Sequence, residues 1–260
     1  MIVPVEPGVR IHVEDSGGPG RPVVFLHGWP LDGRQWEYQV ADLQPRGYRC
    51  IAVDARGFGR SDHAWGHYGL DVLADDLGRV VDALDVDGFA LVGMSLGAAT
   101  AARYVRRHGG GRATHLVVVA PVALDPGRAA EMQARCRTDR PALLREVIAG
   151  FGVGEAARAW LGAIAEAAMP YATRRCLALL SEAEPEPVDL PALIVRGTED
   201  AWSSEAIARR WQQAIPGART LAIARAGHGA LLTHQHDLNA ALAAFIGPAA
   251  PTRAERPPET

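Results

Sequence analysis

The sequence contains a serine whose neighbours equip it for nucleophilic chemistry. Ser95 lies in the motif Gly-Met-Ser-Leu-Gly at positions 93–97, between an apolar run at 89–92 that predicts a buried strand and a stretch at 98–107 that predicts a helix. A serine on so sharp a turn needs small neighbours, because the backbone is crowded there. The helix N-terminus beneath its hydroxyl favours developing negative charge. We predict that Ser95 is a nucleophile, with helix capping as the alternative.

A nucleophilic serine needs a base, and His228 is the favoured one among nine histidines. The motif Ala-Gly-His-Gly at 226–229 follows the last predicted strand and precedes the last predicted helix. That position places the imidazole on a loop at the same sheet edge as Ser95. Small neighbours allow it to approach the hydroxyl. The alternative is a loop histidine that caps the following helix.

The base in turn needs an acid that fixes its tautomer and stabilises the imidazolium. A predicted strand ends at Val195 and leads into a loop that carries Glu199 and Asp200. We prefer Asp200 as the acid. Glu199 and Asp125, which follow predicted strands too, remain alternatives, and a solvated loop carboxylate is the non-catalytic reading of Asp200.

Two backbone amides are predicted to complete the site. The motif His-Gly-Trp-Pro at 27–30 follows the apolar run at 23–26, so the Trp29 amide can face an oxyanion from one side. The Leu96 amide, next to the nucleophile, complements it. His27 is expected to support this loop through hydrogen bonds rather than to titrate in catalysis.

The elements that position these residues follow from an alternation of short apolar runs and amphipathic patterns. Strands are predicted at 2–5, 9–13, 23–26, 49–53, 90–92, 115–120, 192–195 and 220–223, and helices at 33–43, 70–84, 96–108, 204–214 and 231–246. Strands this short and apolar, each followed by a helix, indicate a mostly parallel sheet covered on both faces. The predicted fold class is α/β.

One segment interrupts this alternation. Residues 122–188 contain helical spacing without a strand-like run, which predicts a helical lid inserted between two parts of the core, 1–121 and 189–246. Residues 247–260 contain four prolines and are predicted to be a disordered tail. Candidate substrate contacts, for which core packing is the alternative, are Met94 before the nucleophile and Met132, Phe151, Trp160, Met169 and Tyr171 in the lid.

Composition excludes several functional classes. The net charge of −3 offers no basic surface for nucleic acid, and the absence of lysine excludes Schiff-base chemistry, a Walker lysine and a Ser–Lys dyad. Three scattered cysteines suit a reducing cytoplasm and form no C-x-x-C metal site. The histidine pairs at 63 and 67 and at 234 and 236 could suggest metal ligands, but they lack a cysteine or acidic partner at a fitting spacing. We find neither a signal peptide nor an apolar run long enough to span a membrane. A cytoplasmic protein with a small-molecule substrate and no metal or cofactor is expected.

The loop at 54–62, Asp-Ala-Arg-Gly-Phe-Gly-Arg-Ser-Asp, has glycines for a tight turn. It lacks the Gly-x-Gly-x-x-Gly spacing of a dinucleotide site. We expect a structural ion pair among Asp54, Arg56 and Asp62.

The motifs at 27–30, 54–62, 93–97, 196–200 and 226–229 together resemble the α/β-hydrolase fold over residues 11–246. Residues 26–62 are similar to the cofactor-free haloperoxidase, perhydrolase and aryl esterase branch, in which Trp-Pro follows the His-Gly of the oxyanion loop. The resemblance implies a metal-free serine mechanism with Ser95, Asp200 and His228, and Trp29 and Leu96 as amide donors. Met94 departs from the family, in which many members carry His, Gln or Phe at this position.

We therefore expect a serine hydrolase that cleaves a small or medium ester or lactone through an acyl-enzyme, with perhydrolysis as a side reaction. One alternative is a C–C bond hydrolase or a natural-product cyclase that uses the same three residues. Another is a ligand-binding protein that keeps its ligand intact. The serine argues against epoxide hydrolases and haloalkane dehalogenases, which need a carboxylate at this position.

Overall fold

The computed structural model describes residues 1–109 and 111–249, which alternate between strands and helices. The eight strands in this part of the chain are β1 (Ile2–Glu6), β2 (Val9–Asp15), β3 (Pro22–Leu26), β4 (Arg49–Val53), β5 (Phe89–Met94), β6 (Ala113–Val119), β7 (Ala192–Gly197) and β8 (Arg219–Ile223). Its α-helices are α1 (Glu37–Leu43), α2 (Leu70–Ala83), α3 (Leu96–His108), α4 (Pro126–Thr138), α5 (Arg140–Ala149), α6 (Glu155–Ala167), α7 (Pro170–Glu182), α8 (Glu205–Ala214), α9 (Ala230–Thr233) and α10 (Gln235–Ile246).

The strands form one sheet in the order β1-β2-β4-β3-β5-β6-β7-β8. Strand β2 pairs antiparallel with β1 and β4, and every pair from β4 to β8 is parallel. The predicted α/β class with a mostly parallel sheet is confirmed. Because parallel strands end at the same edge, the loops that follow β3, β5, β7 and β8 gather there.

Each face of the sheet carries its own apolar core, which follows from the alternation of side chains along a strand. In β5, Ala90 and Val92 point into one core and Phe89 and Leu91 into the other. Helices α2, α3 and α8 cover the second core. Helices α1 and α10, together with the helices between β6 and β7, cover the first.

The segment between β6 and β7 consists of helices α4 to α7, which we call the helical insertion. Two of the hydrogen bonds that tie it to the loops at the carboxyl edge lie at the start of α7. The Met169 amide donates to the Gly57 carbonyl at 2.9 Å, and the Trp29 indole Nε1 donates to the Thr173 carbonyl at 2.8 Å. The start of α7 therefore lies over the loops that follow β3 and β4.

The predicted ion pair among Asp54, Arg56 and Asp62 is wrong, because each of the three side chains has a partner outside the loop. Arg56 is buried and makes a bidentate pair with Asp76 of α2, at 2.6 and 2.7 Å. Asp62 pairs with Arg10, and Asp54 lies 3.0 Å from His12 Nδ1. Burial raises the pKa of Asp76, and the Arg56 guanidinium offsets that rise only in part.

Two further differences concern the C-terminal part. The predicted helix at 231–246 is broken at His234, whose φ of −127° and ψ of 40° separate α9 from α10. In the predicted tail, the Gly247 carbonyl accepts a hydrogen bond from Tyr48 Oη at 2.6 Å, whereas residues 250–260 lie outside the described residues. No helix in the described ranges is both long and apolar enough to cross a membrane. The cytoplasmic location stays a prediction.

Candidate active site

Ser95 lies in a strained turn between β5 and α3. Its φ of +52° and ψ of −115° fall in a region that L-residues rarely adopt. The flanking glycines are required by space: a Cβ on Gly93 would lie 2.2 Å from the Gly97 carbonyl oxygen, and a Cβ on Gly97 would lie 2.3 Å from the Leu26 carbonyl oxygen. The Ser95 side chain makes no capping hydrogen bond to α3 within the described residues. The capping alternative therefore finds no support in this geometry.

His228 and Asp200 form a buried pair at the same edge of the sheet. His228 Nδ1 lies 2.8 Å from Asp200 Oδ2. The other carboxylate oxygen, Oδ1, accepts the amides of Trp202 at 2.8 Å and Ser203 at 3.0 Å. Burial acts to raise the pKa of Asp200, but the hydrogen bond and charge of His228 and the two amides outweigh it, so the pKa is lowered. The carboxylate is thus ionised at neutral pH.

The loops that carry this pair are joined through their backbones. The Glu199 amide donates to the Ala226 carbonyl at 2.9 Å. Gly197 lies so close to the histidine loop that a Cβ there would be 2.0 Å from the same carbonyl oxygen. Of the alternative acids, Glu199 is exposed, and Asp125 caps α4 by accepting the amides of Gly127 and Arg128. Asp200 is the carboxylate that the structure brings to His228.

The three side chains share one edge without being fully joined. Ser95 follows β5, Asp200 follows β7 and His228 follows β8, and all three are buried. Among the described residues, Ser95 Oγ does not form a hydrogen bond with His228 Nε2. Contacts of this kind are often loose without substrate and tighten in the complex.

The loop after β3 passes directly beside the serine. A Cβ on Gly28 would lie 3.3 Å from Ser95 Cβ, so the two backbones approach closely. The Gly28 carbonyl accepts the Leu31 amide at 2.9 Å and lies 3.1 Å from His27 Nδ1. Because His27 Nε2 accepts the Ala55 amide at 2.9 Å, the ring proton is on Nδ1 and donates to that carbonyl. His27 thus supports the loop.

Two amides remain available at this point. Within the described residues, neither the Trp29 amide nor the Leu96 amide donates to a protein acceptor, although both residues are buried. Leu96 is the first residue of α3, where amides have no partner inside the helix. Buried amides without a protein partner are suited to binding a ligand oxygen.

The candidate substrate contacts are placed differently from one another. Phe151 lies at the candidate base: its ring centroid is 4.9 Å from that of His228, with an interplanar angle of 77°. Met94 is fully buried directly before Ser95. Trp160 is half-buried and packs against the first core from α6, and Met169 is buried where its amide meets the loop after β4.

Sequence reasoning missed two contributions to the site. Gln35 is fully buried, and its Oε1 accepts the Gly28 amide at 3.1 Å. The Phe151 carbonyl accepts the Gly229 amide at 2.8 Å and so fixes the histidine loop to the helical insertion. Neither contact has a periodic signal in the sequence, since each joins a side chain or a carbonyl to the backbone amide of another segment.

The strand order, the strained serine and the histidine–carboxylate pair define a class of protein, and comparison with known proteins agrees. The family model for the alpha/beta hydrolase fold matches residues 21–136. AB hydrolase superfamily protein YisY of Bacillus subtilis (strain 168) is 32% identical over 262 residues, which cover 94% of this chain and 97% of that protein. The chain belongs to the α/β hydrolase superfamily.

Two solved structures indicate which branch of the superfamily the chain resembles. A bromoperoxidase from Bacillus anthracis superposes with a TM-score of 0.88 at 32% identity, covering 95% of this chain and 99% of that one. The esterase EaEST from Exiguobacterium antarcticum has a TM-score of 0.88 at 26% identity, with 95% and 98% coverage. The resemblance to the haloperoxidase branch is confirmed.

Proposed function

We propose that this protein is a serine hydrolase that cleaves a small or medium ester or lactone through an acyl-enzyme on Ser95. The observation that carries the proposal is a serine at φ +52° at the sheet edge that also holds the His228–Asp200 pair. Similarity to an esterase supports ester chemistry in place of other reactions of this fold.

In the first half of the reaction, Ser95 Oγ attacks the acyl carbon and its proton passes to His228 Nε2. The carbonyl π electrons move onto oxygen, and the amides of Trp29 and Leu96 stabilise this oxyanion, an effect of about 3–4 kcal/mol per donor in other enzymes. When the intermediate collapses, the leaving oxygen takes the proton from His228. Asp200 stabilises the imidazolium in between.

In the second half, water gives a proton to His228 and attacks the acyl-enzyme. Collapse releases the carboxylic acid and returns the proton to Ser95 Oγ. Hydrogen peroxide can replace water in this step, and the product is then a peracid. This side reaction can be assayed by incubating the protein with acetate and hydrogen peroxide.

The decisive experiment compares Ser95→Ala with Ser61→Ala, because both serines are 4% exposed. The first variant should lose p-nitrophenyl acetate turnover and labelling by a fluorophosphonate probe. The second removes a structural hydroxyl that donates to the Asp54 carbonyl, and it should keep both activities. Substantial turnover by Ser95→Ala would refute the assignment.

Probe labelling, together with a panel of esters and lactones, separates the alternative functions. A wild-type protein that is labelled at Ser95 but inert toward a panel of esters and lactones would support a C–C bond hydrolase or a cyclase. A folded protein that the probe does not label would support a ligand-binding role.

A further inference from the structure

We propose that Gln35 is a positioning residue for the oxyanion loop, which is the loop after β3 that carries Gly28 and Trp29. Its side chain is fully buried and joins two parts of the candidate site. Oε1 accepts the Gly28 amide at 3.1 Å, and Nε2 lies 3.5 Å from Met94 Sδ and donates to it. One amide group thus connects the loop after β3 to the residue that precedes Ser95.

This contact completes the fixing of the two peptide units that meet at Gly28, because the Gly28 amide belongs to the His27–Gly28 unit and the Gly28 carbonyl to the Gly28–Trp29 unit. The Gly28 amide is fixed by Gln35, and the Gly28 carbonyl is fixed by the Leu31 amide and by His27 Nδ1. The Gly28–Trp29 peptide is trans, so the Trp29 amide points opposite to that carbonyl. The inference rests on the proposed function, in which the Trp29 amide binds the oxyanion.

The loop has little freedom to compensate for a lost contact. A Cβ built on Gly28 would lie 3.3 Å from both Ser95 Cβ and the Met94 carbonyl oxygen, so the loop is already closely packed here. Without the Gln35 acceptor, the Gly28 amide is left unpaired in a buried place, and the loop can satisfy it only by moving. Such a movement misplaces the Trp29 donor, and catalysis is sensitive to displacements of about 1 Å.

The chain offers a matched control in Gln39. It is also fully buried, and its Nε2 donates to the Leu231 carbonyl and to Asn239 Oδ1, both at 3.0 Å. These contacts tie α1 to α9 and α10 and lie outside the oxyanion loop. Gln39→Met therefore measures what the loss of a buried amide does to stability alone.

The test measures kcat and KM for p-nitrophenyl acetate, the rate of fluorophosphonate labelling, and Tm for the wild type, Gln35→Met and Gln39→Met. Gln35→Met should lower kcat by about 10- to 100-fold, with KM within about twofold, and should slow labelling in proportion. Its pH profile should keep its shape, because the base is untouched. Gln39→Met should lower Tm and leave kcat within about twofold of the wild type.

If Gln35→Met does not fold, Gln35→Asn is used, since it keeps the polarity but is one methylene too short to reach Gly28. A Gln35 variant with wild-type kcat, or an equal loss of kcat in Gln39→Met, overturns the inference. Failure of the proposed function looks different, because the wild-type protein itself would then be inert toward p-nitrophenyl acetate, whether or not the probe labels it.

Discussion

His228 Nδ1 lies 2.8 Å from Asp200 Oδ2, and the opposite carboxylate oxygen is occupied by two backbone amides. Because an ionised carboxylate only accepts hydrogen bonds, it fixes the imidazole tautomer with its proton on Nδ1. Nε2 is then free to accept a proton from a nucleophile. The two amides prevent the carboxylate from rotating, so the orientation of the ring is fixed along with its tautomer.

Replacing Asp200 with Asn should therefore impair catalysis far more than folding. An amide can donate to Nδ1 and stabilise the wrong tautomer, so kcat for p-nitrophenyl acetate should fall by about 10³- to 10⁴-fold. The exposed neighbour provides the control, and Glu199→Gln should keep kcat within about twofold. Equal effects of the two substitutions would remove Asp200 from the mechanism.

The pH dependence of stability should also report Asp200. Its pKa is lower in the folded protein than the ordinary value of about 3.9, so its contribution to stability is fully present above that value. The contribution is lost as the pH falls through the lower, folded pKa. Urea unfolding at steps from pH 7 to pH 3 should show a steeper decline of the unfolding free energy for the wild type than for Asp200→Asn. Parallel curves would mean that the carboxylate is not stabilised by its partners.

Phe151 allows a test of how the helical insertion supports His228, the proposed base. Aromatic pairs of this geometry contribute about 0.5–1.5 kcal/mol, which corresponds to a two- to twelvefold change in an equilibrium or a rate. Phe151→Leu removes the ring but keeps a buried side chain, and kcat should fall by about that factor.

A second phenylalanine–histidine pair in the chain is the control for this substitution. The ring centroids of Phe245 and His115 lie 5.3 Å apart at an interplanar angle of 82°, and neither residue belongs to the loops that carry Ser95, Asp200 and His228. Phe245→Leu should leave kcat unchanged. If both variants lose activity equally, the contact between Phe151 and His228 has no special role.

The elements of the fold could be predicted because their signals are local. Helix α3 was expected at 96–108 and spans Leu96–His108, since the glycine motif marks its start and three basic residues lie in its last turn. Strands β3 to β7 were found from short apolar runs that are buried on both faces. The break at His234 was missed because the apolar spacing continues through it.

The partners of polar side chains could not be predicted in the same way. Arg56 has two carboxylates near it in sequence, yet it pairs with Asp76, which is brought in by α2. Gln35 lies in a 3₁₀-helix and bonds to a backbone amide seven residues earlier, a contact that depends on how the loop turns. Such pairs depend on how distant segments are placed in the fold, so local sequence patterns do not reveal them.

The glycines that flank Ser95 lead to a final prediction about the turn that carries this serine. A Cβ on Gly97 would lie 2.3 Å from the Leu26 carbonyl oxygen and 2.6 Å from that of His27, so α3 would have to move away from β3. Overpacking of this kind costs about 1–3 kcal/mol, and the movement also carries Ser95 and the Leu96 amide out of place. Gly97→Ala should therefore lose both stability and turnover.

Gly162 in α6 is the control for Gly97, because a Cβ built on it would have no neighbouring atom within 4 Å. Alanine is favoured over glycine inside a helix by about 0.5–1 kcal/mol, so Gly162→Ala should raise the free energy of unfolding with kcat unchanged. Urea unfolding and p-nitrophenyl acetate turnover of both variants give the comparison. A Gly97→Ala protein as stable and active as the wild type would show that α3 can move away from β3 without loss of stability or turnover. Close packing at the turn around Ser95 would then not be the reason for glycine at position 97.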